Sequence, residues 1–174
     1  VQLVFQSVTQ QPDLVAAPVY QQLKALAITD QVQVAPIDPA YADGDLLSQH
    51  YAIPFAAELN CLIVQGKRQA TVKYAALVVP YGHKANTGGV TKHALDVSKV
   101  SFAPLADVLA QTQMELGSIT PLGLPSTWHV LIDPSVFEQP TVVIGSGRLN
   151  SKVQLPTTIL RQLLNVQVVA GLAK

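Results

Sequence analysis

Between Pro12 and Leu26 the apolar residues Leu14, Val15, Val19, Leu23 and Leu26 recur at near-helical spacing, the one-sided stripe of a helix that packs on a core. Val32, Val34 and Ile37 come next at nearly alternate positions and predict a strand. Asp43 and Asp45 precede Leu46, Leu47 and Tyr51, and Pro54 prevents a longer helical run, so a short helix is expected at about 44 to 51. Two β-rich segments come after it, Leu59 to Val64 and Ala70 to Val79, with Gly66, Lys67 and Arg68 between them. They read as a hairpin, and because both are largely apolar on both faces they read as central strands.

Pro80, Gly82 and the stretch Asn86 to Gly89 break the pattern before a short helix from Val90 to Leu95 and a strand from Lys99 to Phe102. Pro104 suits the first residue of a helix that carries Leu105, Val108 and Leu109 and ends before Gly117. The rest of the chain predicts strands at Val130 to Ile132 and Thr141 to Ile144, a last helix near Pro156 to Leu164, and a strand from Val166 to Val169. There is no internal repeat. Strands and helices alternate irregularly, so the expected fold class is α/β (α+β): a mixed, partly antiparallel sheet curled into a barrel-like core with surrounding helices. A chain of 174 residues suits one domain, with residues 1–30 as an N-terminal helical extension and 31–174 as the core.

Composition narrows the function. Apolar residues make up 49% of the chain and charged residues 13%, which fits a folded protein with a charge-poor surface, compatible with a homodimer. Eleven basic residues balance eleven acidic ones, which argues against broad phosphate-driven binding and against DNA as a partner. Any RNA contact must rest on local groups: Lys67 with Arg68, Lys84 with Lys92 and Lys99, or Arg148 with Lys152, each of which otherwise reads as a solvated cluster. No stretch is long enough for a membrane span, and the opening VQLVFQSVTQ lacks the basic and apolar regions of a signal peptide. With a single cysteine, a cytoplasmic location is expected. The start without Met leads us to expect a trimmed or renumbered N-terminus.

Much familiar chemistry is excluded. His50, His83, His93 and His129 are scattered without ligand spacing, so neither a metal nor another cofactor is expected. There is no GxSxG elbow, and Gly145-Ser146-Gly147 is too short for a phosphate-binding loop. Cys61, inside an apolar strand, reads as a small buried hydrophobe, and Asp133, between a strand and Pro134, reads as a turn cap. There remains Gly117-Ser118-Ile119-Thr120-Pro121, in which glycine and proline frame a rigid loop after a helix. Gly117 lets a ligand approach the main chain, and Pro121 fixes the backbone beside it, as an oxyanion or carbonyl site made of backbone groups requires.

Over roughly residues 30 to 172 the sequence resembles the YbaK and prolyl-tRNA synthetase family of aminoacyl-tRNA editing domains. Five pieces occur in the family's order: Asn60-Cys61-Leu62-Ile63-Val64, Lys99-Val100-Ser101-Phe102-Ala103, the loop GSITPLG from Gly117, VLID at 130 to 133, and IGSG at 144 to 147. The resemblance implies a deacylase that removes a wrongly attached small amino acid from the 3′ end of a tRNA, commonly tRNA for proline, without a metal. It implies that Gly117, Ser118, Ile119, Thr120 and Pro121 meet the aminoacyl end and that Gly145, Ser146 and Gly147 line the pocket. Many family members carry a lysine where our reading places Asn60, so Asn60 is a candidate catalytic residue that lacks the charge. Asn60 and the neutral charge favour the alternative, a non-catalytic binding module for a small amino acid or nucleotide-like ligand. A hairpin turning through Gly66 and Lys67 sets Asn60 opposite Lys73, which would then supply the missing ammonium; a loop one residue longer turns Lys73 to the other face.

Overall fold

The computed structural model describes residues 1–174. In chain order the elements are β1 (Gln6–Ser7), α1 (Ala17–Ala25), β2 (Gln33–Pro36), α2 (Gly44–Tyr51), β3 (Leu59–Arg68), β4 (Thr71–Pro80), α3 (Gly89–Leu95), β5 (Lys99–Phe102), α4 (Leu105–Thr112), β6 (His129–Ile132), β7 (Thr141–Gly145), β8 (Ser151–Pro156), α5 (Thr157–Leu160) and β9 (Val166–Val168). The strands form two sheets, ordered β1-β2-β8-β7 and β5-β3-β4-β6-β9. Only β4-β6 and β6-β9 pair in parallel; the other pairs are antiparallel. A single parallel bridge, Glu58 to Val143, links the sheets where β3 begins. The α+β class is as expected, but the sheets do not close into a barrel. No helix is long and apolar enough to cross a membrane.

The largest core cluster fills the space between the sheets and draws Val130, Ile132, Ile144, Val153 and Leu155 from their inner faces. Val8, Val15, Val19 and Leu23 from the first 30 residues lie in that same cluster, so α1 and the segments before it complete the core that the later strands begin. On the opposite face of the five-stranded sheet, Val64, Ala75 and Leu77 pack against Leu95 and Leu172. Strand β4 is buried from Ala75 to Pro80, which agrees with its apolar character on both faces.

The hairpin departs from the expected register. Arg68 pairs with Thr71, so the turn is Gln69 and Ala70, and Asn60 lies opposite Val79 while Lys73 lies opposite Gly66. The glycine that suggested a turn sits inside β3 for a packing reason: a Cβ there would meet the Val97 side chain at 2.8 to 3.2 Å. Two further readings change. The last helix is a single turn, Thr157–Leu160, and residues 151–155, unassigned from the sequence, form with Pro156, expected to open that helix, strand β8 inside the four-stranded sheet. The alternation of Lys152 and Gln154 with the core residues Val153 and Leu155 carries that strand signal.

Candidate active site

Strand β3 is paired with β5 only over Val64 to Lys67, so its first half has an open edge on that side. Ladder bonds alternate along a strand. The Tyr81 amide donates to the Glu58 carbonyl at 2.7 Å, and the Ala103 amide donates to the Ile63 carbonyl at 3.0 Å. Even-numbered residues of this segment therefore bond toward β4, and the amide and carbonyl of Cys61 point to the open edge. A cavity of ≈ 560 Å³ lies along that edge, walled by Glu58 just before β3 and Leu59 to Ile63 within it, by Gly117 and Ile119 of the GSITP loop, and by Gly145 and Lys152 of β7 and β8. Phe102, Leu105 and Leu116 also line it, and all three are exposed.

The loop is held rigidly against β7. Ser118 accepts from the Gly147 amide at 2.9 Å, and its amide and hydroxyl both donate to the Glu115 carbonyl, at 3.1 and 2.8 Å. A Cβ at Gly145 would stand 2.6 Å from the Ser118 oxygen and 2.9 Å from the Ile119 oxygen, so only glycine lets the loop lie this close. Gly117 adopts φ +89°, which favours glycine. The amides of Gly117, Ile119 and Thr120 make no hydrogen bond within the protein, whereas that of Ser118 is used. The buried Thr120 hydroxyl likewise has no partner.

The residues singled out from the sequence divide into two groups. Asn60, Gly117, Ile119 and Gly145 line the cavity. Alternation places the Asn60 side chain on the face of Leu62 and Val64, away from Cys61 and Ile63, and it makes no hydrogen bond. Ser118, Thr120, Pro121, Ser146 and Gly147 stand behind the wall and are buried. Ser146 has a supporting role: its hydroxyl donates to the Arg148 carbonyl at 2.9 Å and shares a 2.7 Å hydrogen bond with Ser151.

Lys73 does not reach the cavity. It lies six residue positions along the ladder from the Asn60 rung, on the order of 20 Å, and its ammonium donates to the Leu95 carbonyl at 2.7 Å. Lys73→Met should leave deacylation within about twofold of the unaltered protein, while costing about 1 kcal/mol of stability in urea unfolding. Cys61 packs among the apolar residues of two core clusters, and burial pushes its thiol up to about 12, so it is no thiolate nucleophile. Its reaction with a disulfide reagent at pH 8 should be at least about a hundredfold slower in the native protein than in urea.

Two buried charged residues line the cavity: Glu58, which the sequence pattern did not single out, and Lys152, which it offered only beside Arg148 as a local basic group. Glu58 is 5% exposed and Lys152, expected in a solvated cluster, is 8% exposed. Burial raises the Glu58 carboxyl above its ordinary value, opposed by the Ser48 hydroxyl, which donates to Oε2 at 2.8 Å, and by the charge of Lys152. Burial lowers the Lys152 ammonium, opposed by the charges of Glu58 and Asp43. Lys152 makes neither a hydrogen bond nor an ion pair with the protein; the two ion pairs present are Arg68 with Asp96 and Arg148 with Glu115. The missed signal was strand alternation, which sets Lys152 on the side opposite Val153.

The fold is an α+β scaffold with a partly charged cavity at a strand edge, walled in part by main-chain groups. Residues 38–163 match the model of the aminoacyl-tRNA editing domain, and the chain belongs to that family, known also as the YbaK family. At the level of the family its activity is aminoacyl-tRNA deacylation. Solved structures share the fold at low identity. A structure described as a candidate trans-editing enzyme for prolyl tRNA synthetase is 15% identical, with a TM-score of 0.75 over 90% of this chain and 94% of that one. Hypothetical protein APE2540 is 18% identical, with a TM-score of 0.77 over 90% and 99%. A candidate signal transduction protein from Marinobacter aquaeolei VT8, of which 30% is covered, is 13% identical, with a TM-score of 0.59 over 89% of this chain. No curated protein matches the sequence.

Proposed function

We propose that this protein is a trans-editing deacylase that removes a wrongly attached small amino acid from the 3′ end of a tRNA, with tRNA for proline as the carrier. The observation that carries this reading is the conjunction of the editing-domain family with a ≈ 560 Å³ cavity beside unbonded amides of the GSITP loop. The aminoacyl group enters the cavity, and the terminal base rests on the exposed apolar rim, where Phe102 offers a ring for stacking. Water adds to the ester carbonyl carbon, and the amides of Gly117 and Ile119 stabilise the oxyanion. The bond to the ribose oxygen then breaks, a proton passes to that oxygen, and the free amino acid and the tRNA leave. Aminoacyl esters are activated, so positioning and fixed dipoles suffice without a strong side-chain base.

The test is the lifetime of a panel of mischarged tRNAs with and without the purified protein. Selective loss of a small amino acid from tRNA for proline is the expected result; unchanged lifetimes across the panel would refute the reading. The same assay should be insensitive to chelators, because the structure holds no group of three His, Cys, Asp or Glu side chains placed to ligate a metal. Activity lost to a chelator and restored by zinc would contradict this.

A further inference from the structure

Lys152 is only 8% exposed and makes no hydrogen bond or ion pair, yet Thr120 Oγ1 is the one fully buried side-chain polar atom without a partner, so the Lys152 ammonium is open to the cavity that its side chain lines. Its direction is set by the strand register. Lys152 pairs with Gly145, and directly paired residues project to the same face. On that face the Gly145 Cα lies against the Ser118 and Ile119 carbonyls, so the Lys152 side chain emerges beside the GSITP loop and into the cavity that both line. Glu58 reaches the same cavity from the neighbouring sheet, where its backbone bridges Val143 and its Oε2 is held by Ser48. Asp43 adds a carboxylate at the exposed rim, its Oδ1 capping α2 through the Gly44 amide at 2.8 Å.

An ammonium and a carboxylate that line one cavity with no ion pair between them suit a ligand that carries a hydrogen-bond acceptor and a cation a few atoms apart. An α-aminoacyl group has that pattern: a carbonyl oxygen and, one carbon away, an α-ammonium. We infer that Glu58 and Lys152 form a clamp for the α-aminoacyl group, with the Glu58 carboxylate accepting from the α-ammonium and the Lys152 ammonium donating to the carbonyl oxygen. This rests on the proposed function and adds a point that reading leaves open: how the site tells an aminoacyl ester from any other acyl ester. Filling the clamp also gives each charge a partner, so a ligand without the ammonium leaves the Glu58 carboxylate with the Ser48 hydroxyl alone and is disfavoured.

The test is a binding measurement, so that it does not depend on turnover. The probes are 3′-alanylamino-3′-deoxyadenosine, a stable amide that keeps both groups, and its N-acetyl derivative, which keeps the carbonyl and loses the charge. Calorimetry on the unaltered protein should show the free amine bound at least about tenfold more tightly. Glu58→Gln should reduce that preference below about threefold, and Lys152→Met should weaken both ligands while keeping the preference. Equal affinity for the two compounds, or no binding of either, overturns the clamp, and this comparison needs no variant to fold. Discrimination between the two compounds together with unchanged lifetimes for every mischarged tRNA would leave the clamp standing and refute the deacylase reading instead.

Discussion

Gly145→Ala should lower kcat/KM for deacylation by about 10 to 100-fold, the largest effect we expect from a single methyl group. The added Cβ would lie 2.6 Å from the Ser118 oxygen, 2.9 Å from the Ile119 oxygen and 3.0 Å from the Ser118 carbonyl carbon, all main-chain atoms of the GSITP loop. No rotamer change relieves such a contact. The loop or β7 must move, and the Gly147 amide that donates to Ser118 moves with β7. The amides assigned to the oxyanion are then misplaced by several tenths of an ångström, while overpacking costs about 1–3 kcal/mol of stability. Gly89→Ala is the control, because its Cβ meets nothing within 4 Å. Steady-state kinetics on both variants, with circular dichroism to confirm folding, decides the matter: full activity in Gly145→Ala would show that the loop's position does not govern the chemistry.

Asp133→Ala should destabilise the protein by about 2–4 kcal/mol, or about 4–16 °C in melting temperature for a chain of this size. The carboxylate is buried between β6 and the turn after it. One oxygen accepts from the Ser135 amide at 3.0 Å and the Ser135 hydroxyl at 2.5 Å; the other accepts from the Ala173 amide at 2.8 Å and so ties the C-terminal segment to the sheet. Burial by itself would raise its pKa, but these hydrogen bonds outweigh burial and hold it below the ordinary 3.8. A folded value below the unfolded one means that the ionised group favours the native state above about pH 3.8 and that this contribution is lost as pH falls through the lower folded value. Urea unfolding should therefore show the gap between the unaltered protein and Asp133→Asn closing at acidic pH; a gap independent of pH there would refute the assignment.

The elements that short-range pattern dictates were legible in the sequence. The helix at Gly44–Tyr51 comes from Asp43 as a cap and the strand at Lys99–Phe102 from its breakers, and both fall where the pattern predicts them. Asp133 caps its turn as a carboxylate before Ser135 should. The GSITP loop was visible because glycine and proline state their backbone requirements locally. The hairpin register was not, because Gly66 has two physical uses, turning and close packing, and only the presence of Val97 opposite it selects the second. That choice removed Lys73 from the neighbourhood of Asn60 and gave its ammonium to Leu95. The charged part of the cavity was equally out of reach. Glu58 and Lys152 stand 94 positions apart in the sequence, and nothing near either one specifies the other. Their proximity results from the bridge between Glu58 and Val143 and from the pairing of Lys152 with Gly145, both set by the tertiary arrangement of the strands. Sequence alone determined which segments become strands, helices and rigid loop. Tertiary packing decided which side chains are removed from water together, because burial, and with it the need of a charge for a partner, is a property of the assembled sheets and of no single strand.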